Sequence, residues 1–375
     1  MVDKARLISL LRDLIRIDSQ NPPGDESRIA GFVTGLLKRK GLKLRIHEFK
    51  RHRSNVVAEL KGRDSKHSLL ITPHLDTVPA GKSWTIDPFA GKVIKGRLYG
   101  LGATDCKCNL ACAIEAINSI VEDGRVLDYN LILAATADEE SGSDFGLIPL
   151  LEKNILKPDA AVVLDADDFD IIVAQKGLMH VKFKIQGKRA HGAYPWRGVN
   201  AIDAAIDIIK EIKSLRFSYK VNKFLRPPTI NTGTIKGGDK VNIVADWCEF
   251  ELDFRFLPGM SGKAIFEKVK VIARKHAKKF SVERSGIQEP YLIDGKHCLV
   301  SALKEAMRKF RIKPRIKGSE GATVITFFQH KGIPAVASGF GSGPCAHIAD
   351  EYVRVDNLYT GAKVLEEFLK SYRFR

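Results

Sequence analysis

No part of this 375-residue chain holds the roughly 20 consecutive apolar residues that a bilayer-spanning helix needs. The N-terminal run MVDKARLISLLRDLIRI interleaves charged and apolar residues at helical spacing. It is therefore neither the unbroken apolar core of a signal peptide nor a span, and a cytoplasmic protein with no membrane partner is expected. Cysteine is scarce, six in all, and shows no paired extracellular spacing, which excludes a disulfide-stapled secreted scaffold. Three of the six, Cys106, Cys108 and Cys112, crowd into GLGATDCKCNLACAIEA. Their C-x-C-x3-C spacing has no second half elsewhere to complete a zinc motif, and free cysteine commonly packs as a small buried hydrophobe. Acidic residues are in deficit, 44 Asp+Glu against 61 Lys+Arg, for a net charge of +17. A basic chain suits nucleic acid, but the cations are spread over KGLKLRIHEFKRHR, KVKVIARKHAKKF and MRKFRIKPRIKG. No RNP-type aromatic motif, zinc finger or Gly-rich phosphate loop lies among them, so nucleic acid is not the expected partner. A non-catalytic nucleic-acid-binding protein is the reading that charge alone would favour.

What remains is a globular composition, 44% apolar and 28% charged, in a chain long enough for two domains. An amphipathic helix with Leu7, Leu10, Leu11, Leu14 and Ile15 on one face opens it, NPPGDES stops it, and RIAGFVTGLLKRKG follows as a second helix. The short apolar strands NVVAEL, SLLIT, NLILAATA and AAVVL then alternate with helices such as NLACAIEAINSIVEDG. This is the pattern of an α/β domain whose mostly parallel sheet carries helices on both faces. Near Gly177 the texture changes. GLMHVKFKIQGK and WCEFELDFRFLP alternate as half-exposed antiparallel strands do, and they share a segment with two amphipathic helices. The expected organisation is a catalytic domain over residues 1–176 and 288–375, with an inserted α+β module over 177–287.

Three of the apolar strands end in polar clusters: SLLIT runs into PHLD, NLILAATA into DEE, and AAVVL into DAD. Parallel strands bring their ends to one side of the sheet, where ligand crevices form, so His74, Asp76, Glu139, Glu140 and Asp165 are expected to converge. Taken singly, each has an ordinary reading as a loop polar residue or a solvated helix start. Together, one imidazole and several carboxylates are wrong for a closed structural zinc site. They suit a catalytic divalent ion, or two ions sharing a carboxylate. His74 and Asp76 stand at i and i+2, on the same strand face, so Asp76 is placed to hold the second ring nitrogen of His74. Asp167 shares the strand face of Asp165 and rivals it as a ligand. Asp105 reads as the N-cap of the cysteine-bearing helix.

HLDTVPAG, GATDCK with Asp105, DEESGS and AHIADEYV resemble the co-catalytic zinc aminoacylase and exopeptidase family. Its members include succinyl-diaminopimelate desuccinylase, acetylornithine deacetylase and glutamate carboxypeptidase. The likeness runs in order over nearly the whole chain and places a lid and dimerisation module where the α+β insert falls. It implies two divalent ions bridged by Asp105, zinc with cobalt or manganese as alternatives. His74 and Asp165 would complete one site, Glu140 and His347 the other. Glu139 would be the general base acting on a metal-activated water, with Asp76 orienting His74. The resemblance also implies a homodimer in which His191, from KRAHGAYPWRGVNA, reaches the partner's site to stabilise an oxyanion. Asn242 and Arg255 would contact substrate, and the GFGSGP loop with Gly341 would receive a substrate carboxylate. The implied activity is removal of an N-acyl group from an amino acid; the alternative is an aminopeptidase, dipeptidase or carboxypeptidase acting on a short peptide. Two departures stand out. The usual DxKGG is DCKCN here, and GATVITFF lacks the aspartate of the usual G-[TA]-[ST]-D. Asp165, an aspartate where many deacylases have glutamate, leans toward the peptidase alternative.

Overall fold

The computed structural model describes residues 1–64 and 66–374, and the chain divides into two units. One comprises Met1–Val173, Ile293–Lys317 and Thr323–Arg375; the other comprises Ala174–Leu292 and Gly318–Ala322.

Unalternating apolar runs build the sheet of the first unit. Ser68–Thr72 is buried from Leu69 onward and lies between Asn130–Ala135 and Ala160–Val163, parallel to both. Ala335–Ser338 joins in parallel beside Ala160–Val163. Strands buried on both faces carry continuous apolar residues, which is why these four lack the period of two. Ser54–Leu60 and then Lys43–Glu48 extend one side antiparallel. This is a mixed α/β fold with a mostly parallel centre. Every residue of the helix Lys107–Glu122 from Lys107 to Ile120 is buried, packed against the helices Val355–Ser371 and Lys4–Ile15. Lys4–Ile15 turns inward the five residues its spacing predicts, Leu7, Leu10, Leu11, Leu14 and Ile15. The helix Ser27–Lys38 covers the antiparallel strands instead. A separate three-stranded sheet pairs Tyr352–Arg354 with Arg97–Tyr99, and Arg97–Tyr99 with Lys92–Ile94. It ties the chain just after His347 to the chain just before Asp105.

The second unit is an antiparallel sheet of four strands in the order Thr229–Gly237, Trp247–Phe256, Gly177–Gln186, Lys279–Gln288. Alternate residues of Gly177–Gln186 and Trp247–Phe256 are buried. Met179, Val181, Phe183 and Ile185 share a core with Phe250, Leu252 and Phe254. The helices Ala201–Lys213 and Gly262–His276 complete that core with Ala205, Ile208, Ile265 and Val269. Asn200 caps the first helix through Ile202 and Asp203, and Ser261 caps the second through Ala264. The second unit takes in 174–176 and 288–292 beyond the expected bounds, and one further segment departs: Gly318–Ala322, placed with the first domain by its position after residue 288, belongs to the second unit. The reason is a buried cation. Lys176 ion-pairs with Glu320 at 2.6 Å, its main-chain N–H donates to the Ser319 carbonyl, and Glu320 also accepts the Arg226 N–H at 2.8 Å. A buried Lys must find such partners, wherever they lie in the chain.

Phe183 and Phe250 stack with ring centroids 4.4 Å apart, and both are fully buried. Phe250→Ala is expected to cost about 3–5 kcal/mol of stability, read by guanidinium unfolding. A loss below about 1 kcal/mol would mean that this core is not what holds the second unit together.

Candidate metal centre

The parallel ladder continues past the ends of the named strands. His74 bridges Thr136, and the Leu75 N–H donates to the Thr136 carbonyl at 2.7 Å. That continuation fixes where PHLD and TADEE emerge. His74 is 2% exposed, and its Nε2 lies 3.0 Å from Asp105 Oδ1. The other Asp105 oxygen, Oδ2, lies 3.1 Å from His347 Nε2, which is also 3.1 Å from Glu140 Oε1. One carboxylate thus faces two imidazoles, one per oxygen. Asp105, Glu140 and His347 present donor atoms within 4.8 Å of one another, and so do His74, Glu139 and Asp165. The two groups meet at the contact between His74 and Asp105.

Two imidazoles and four carboxylates form a mixed nitrogen and oxygen donor set, which fits borderline and hard divalent ions such as zinc, cobalt or manganese. Protonation tells the same story. Loss of water around Asp165 and the nearby Asp105 charge push its carboxyl up to about 7. Glu139 is driven well above the usual range by desolvation and then by Asp165. Burial works against Asp105, but hydrogen bonds from His347 and His74 hold it below the usual carboxylate range. His347 rises to about 10 through its bonds to Asp105 and Glu140. So many acids in one place must be neutralised, by protons if not by cations.

Several sequence expectations change in detail. Asp105 is not the N-cap of Lys107–Glu122; Cys106 holds that position without a side-chain bond, which leaves the Asp105 carboxylate free to face the imidazoles. His74 Nδ1 bonds the main-chain carbonyl of Asp76 at 2.9 Å, and the Asp76 carboxylate stands farther off at 3.5 Å. That carboxylate also accepts the N–H groups of Glu139 at 3.1 Å and Glu140 at 3.2 Å, and so fixes the turn carrying both. Asp167 is in neither of these donor groups, nor in the third, which joins Cys106 to His74 and Asp105. The Asp167 carboxylate lies against the buried Gly341, where a Cβ would meet Asp167 Oδ1 at 2.3 Å and Thr104 Cγ2 at 2.7 Å and would force one of them to shift. Cys106 lies close to His74 and Asp105, but its sulfur accepts the His74 N–H at 3.1 Å, and burial pushes its thiol up to about 12. Cys108 and Cys112 are buried and bonded to the carbonyls of Thr104 and Leu358.

His191, Asn242 and Arg255 lie in the second unit. His191 and Asn242 share a basin of about 480 Å³ with Arg189 and Lys240. Gly192 donates its N–H to the Asn242 carbonyl at 2.8 Å, which fixes the two strands there. Arg255 is held by Asp253 through two bonds, of 2.8 and 3.1 Å.

Sequence reading missed a buried network behind the Glu139–Glu140 turn. Arg53, 4% exposed, pairs with Glu26 and with Asp138, both at 2.8 Å. Asn21 donates to Asp76 at 2.9 Å and to Asp138 at 3.4 Å. Asp138 immediately precedes Glu139 and takes a left-handed backbone with φ 65. In the sequence, Arg53 is one cation in the basic run KRHR and Asn21 one residue of a helix-stopping loop; nothing in their spacing separates them from their neighbours.

Residues 70–371 match peptidase family M20/M25/M40. The chain is 38% identical over 217 residues to acetylornithine deacetylase of Klebsiella pneumoniae (strain 342), covering 56% of this chain and 55% of that protein. It therefore spans about half the length of that relative. It is 27% identical over 385 residues to succinyl-diaminopimelate desuccinylase of Pelagibacter ubique, covering 97% of this chain and 98% of that one. The crystal structure of aminopeptidase PepT from Bacillus cereus shares the fold, with a TM-score of 0.84, 23% identity and 98% of each chain covered.

The protonation pattern sets a pH dependence for metal binding. His347 and Asp165, raised to about 10 and about 7, hold protons at pH 6 that an entering ion must displace. Affinity for zinc is therefore expected to climb between pH 6 and 8, by about tenfold per pH unit for each proton displaced. Calorimetry in buffers of different ionisation enthalpy should show protons released on binding; a pH-independent affinity with no proton release would contradict the assignment.

Proposed function

The chain belongs to peptidase family M20/M25/M40, whose members are amide-cleaving metallohydrolases with dinuclear sites, and we propose that it removes the N-acyl group from an N-acylated amino acid. The observation that carries this reading is Asp105 facing His74 with one oxygen and His347 with the other. A carboxylate so placed can serve two ions at once. In this reading His74, Asp165 and Asp105 would hold one zinc ion, and Glu140 and His347, with Asp105, would hold the second. When bound, the two ions lower the pKa of a water molecule and polarise the amide carbonyl.

The rest is the work of side chains. Glu139 stands beside His74 and Asp165 in a poorly hydrated position that raises its proton affinity. It takes a proton from the attacking water and returns it to the departing amine. Asp76 keeps Glu139 and Glu140 aimed in different directions by holding both of their N–H groups. His191 and Asn242, which share a basin, supply donors to the developing oxyanion and the substrate, and Arg255 is a further substrate contact in this reading. Of these three, we assign His191 to the site of a second subunit in a homodimer. The acyl-group assignment draws on the two relatives that are deacylases by name, one of them matched over nearly its whole length. The second reading, cleavage of a terminal residue from a short peptide, draws on Asp165 and on the aminopeptidase fold neighbour.

A panel of N-acetyl and N-succinyl amino acids beside free-amine dipeptides, run with zinc, cobalt and manganese, separates the two. Turnover of the N-acyl compounds with dipeptides inert is expected; the reverse would establish the peptidase. Glu139→Gln should retain its metal and lose roughly 10²- to 10⁴-fold in kcat. Near-normal hydrolysis by that variant would remove Glu139 from the role of base.

A further inference from the structure

We propose that Glu351 is a positioning residue whose carboxylate sets the metal affinity of Asp105 by fixing the backbone that carries it. Glu351 is 1% exposed. Its Oε1 accepts the N–H of Thr104 at 2.7 Å and of Asp105 at 2.9 Å, and its Oε2 accepts the N–H of Gly102 at 2.9 Å. Its main-chain carbonyl takes the Gly100 N–H at 2.9 Å as well. The loop that delivers Asp105 is therefore bound to a single residue from the far end of the sequence. Two acceptor oxygens with about four lone-pair sites can serve three N–H donors; a side-chain amide, with one oxygen and an NH₂ group, cannot.

The same segment carries His347, four residues earlier. Asp350, beside Glu351, fixes it on the outer side by accepting the N–H groups of Thr85 and Ile86 at 2.9 and 3.1 Å. Thr104 Oγ1 completes the tie, donating to the Tyr352 carbonyl at 2.7 Å and accepting the Ser342 N–H at 3.1 Å. Asp105 cannot shift relative to His347 without breaking bonds to Glu351. Two ligands from opposite ends of the chain then keep the spacing an ion requires, which is how groups behind a ligand tune affinity.

The proposal rests on the two-ion reading, and one experiment tells their failures apart. Metal-free wild type and Glu351→Gln are titrated with zinc against a chromogenic chelator, with far-UV circular dichroism and thermal melting of the metal-free forms. Wild type is expected to bind two equivalents. Glu351→Gln is expected to stay folded and to bind zinc roughly 10- to 100-fold more weakly. Its kcat should fall at nearly unchanged KM and recover in excess zinc. If wild type binds fewer than two ions, the two-ion reading and this one fall together. If wild type binds two and the folded variant binds them equally well, this proposal alone fails, even if the variant melts at lower temperature. Should Glu351→Gln not fold, Glu351→Asp keeps the charge and withdraws it by one methylene. An affinity below wild type then supports the proposal, and an unchanged one overturns it.

Discussion

The polar interior of the first unit is arranged around a single carboxylate whose two oxygens look in different directions. Asp105 sits between His74 and His347, and Glu139, Glu140 and Asp165 close around the pair. Gathering four acids in a partly buried space is unfavourable on its own, since each raises the proton affinity of the next. The fold accepts that cost at the ends of buried strands, where the rigid sheet leaves the side chains little room to move apart. A cluster of this kind is a receptor for positive charge, and the raised proton affinities of Asp165 and His347 are its protonated form.

Holding such a cluster in shape takes as many residues as forming it. Asp76 stands 3.5 Å from the His74 ring and also fixes the N–H groups of Glu139 and Glu140. Behind it, one buried guanidinium, Arg53, serves two carboxylates. Breaking a buried ion pair by removing one partner costs more than the pair contributes in sum. The arrangement therefore resists piecemeal loss and keeps the Glu139–Glu140 turn in one conformation.

Much of this was legible in the sequence, for a definite reason. The strands SLLIT, NLILAATA and AAVVL announce themselves as unalternating apolar runs, and the residues that follow each run inherit their place from the sheet. His74, Glu139, Glu140 and Asp165 could be grouped from periodicity alone. His347 could not: it lies in a loop with φ 61, and only the resemblance of AHIADEYV pointed to it. Asp105 read locally as a helix cap, the ordinary use of an aspartate before a helix, and only the resemblance of GATDCK pointed to it as a ligand; the helix starts at Lys107 with Cys106 at the cap. Asn21, Arg53 and Glu351 act through contacts between segments far apart in the chain, which no spacing rule reaches. The membership of Gly318–Ala322 in the second unit was hidden for the same reason, since it depends on Lys176 finding Glu320.

The net charge of +17 takes on a different meaning once the acids are located. Asp105, Glu139, Glu140 and Asp165 belong to the cluster, where bound cations would neutralise them, and what is left to act outside is more basic still. Its cations are spread along the chain instead of forming a stripe that would track a phosphate backbone. A diffuse positive field attracts small anions more than it selects a polymer. Acylation removes the charge of one amino group, so an N-acyl amino acid carries one positive charge fewer than the amino acid it releases. The basicity that first suggested nucleic acid is thus equally compatible with a small substrate that carries a carboxylate.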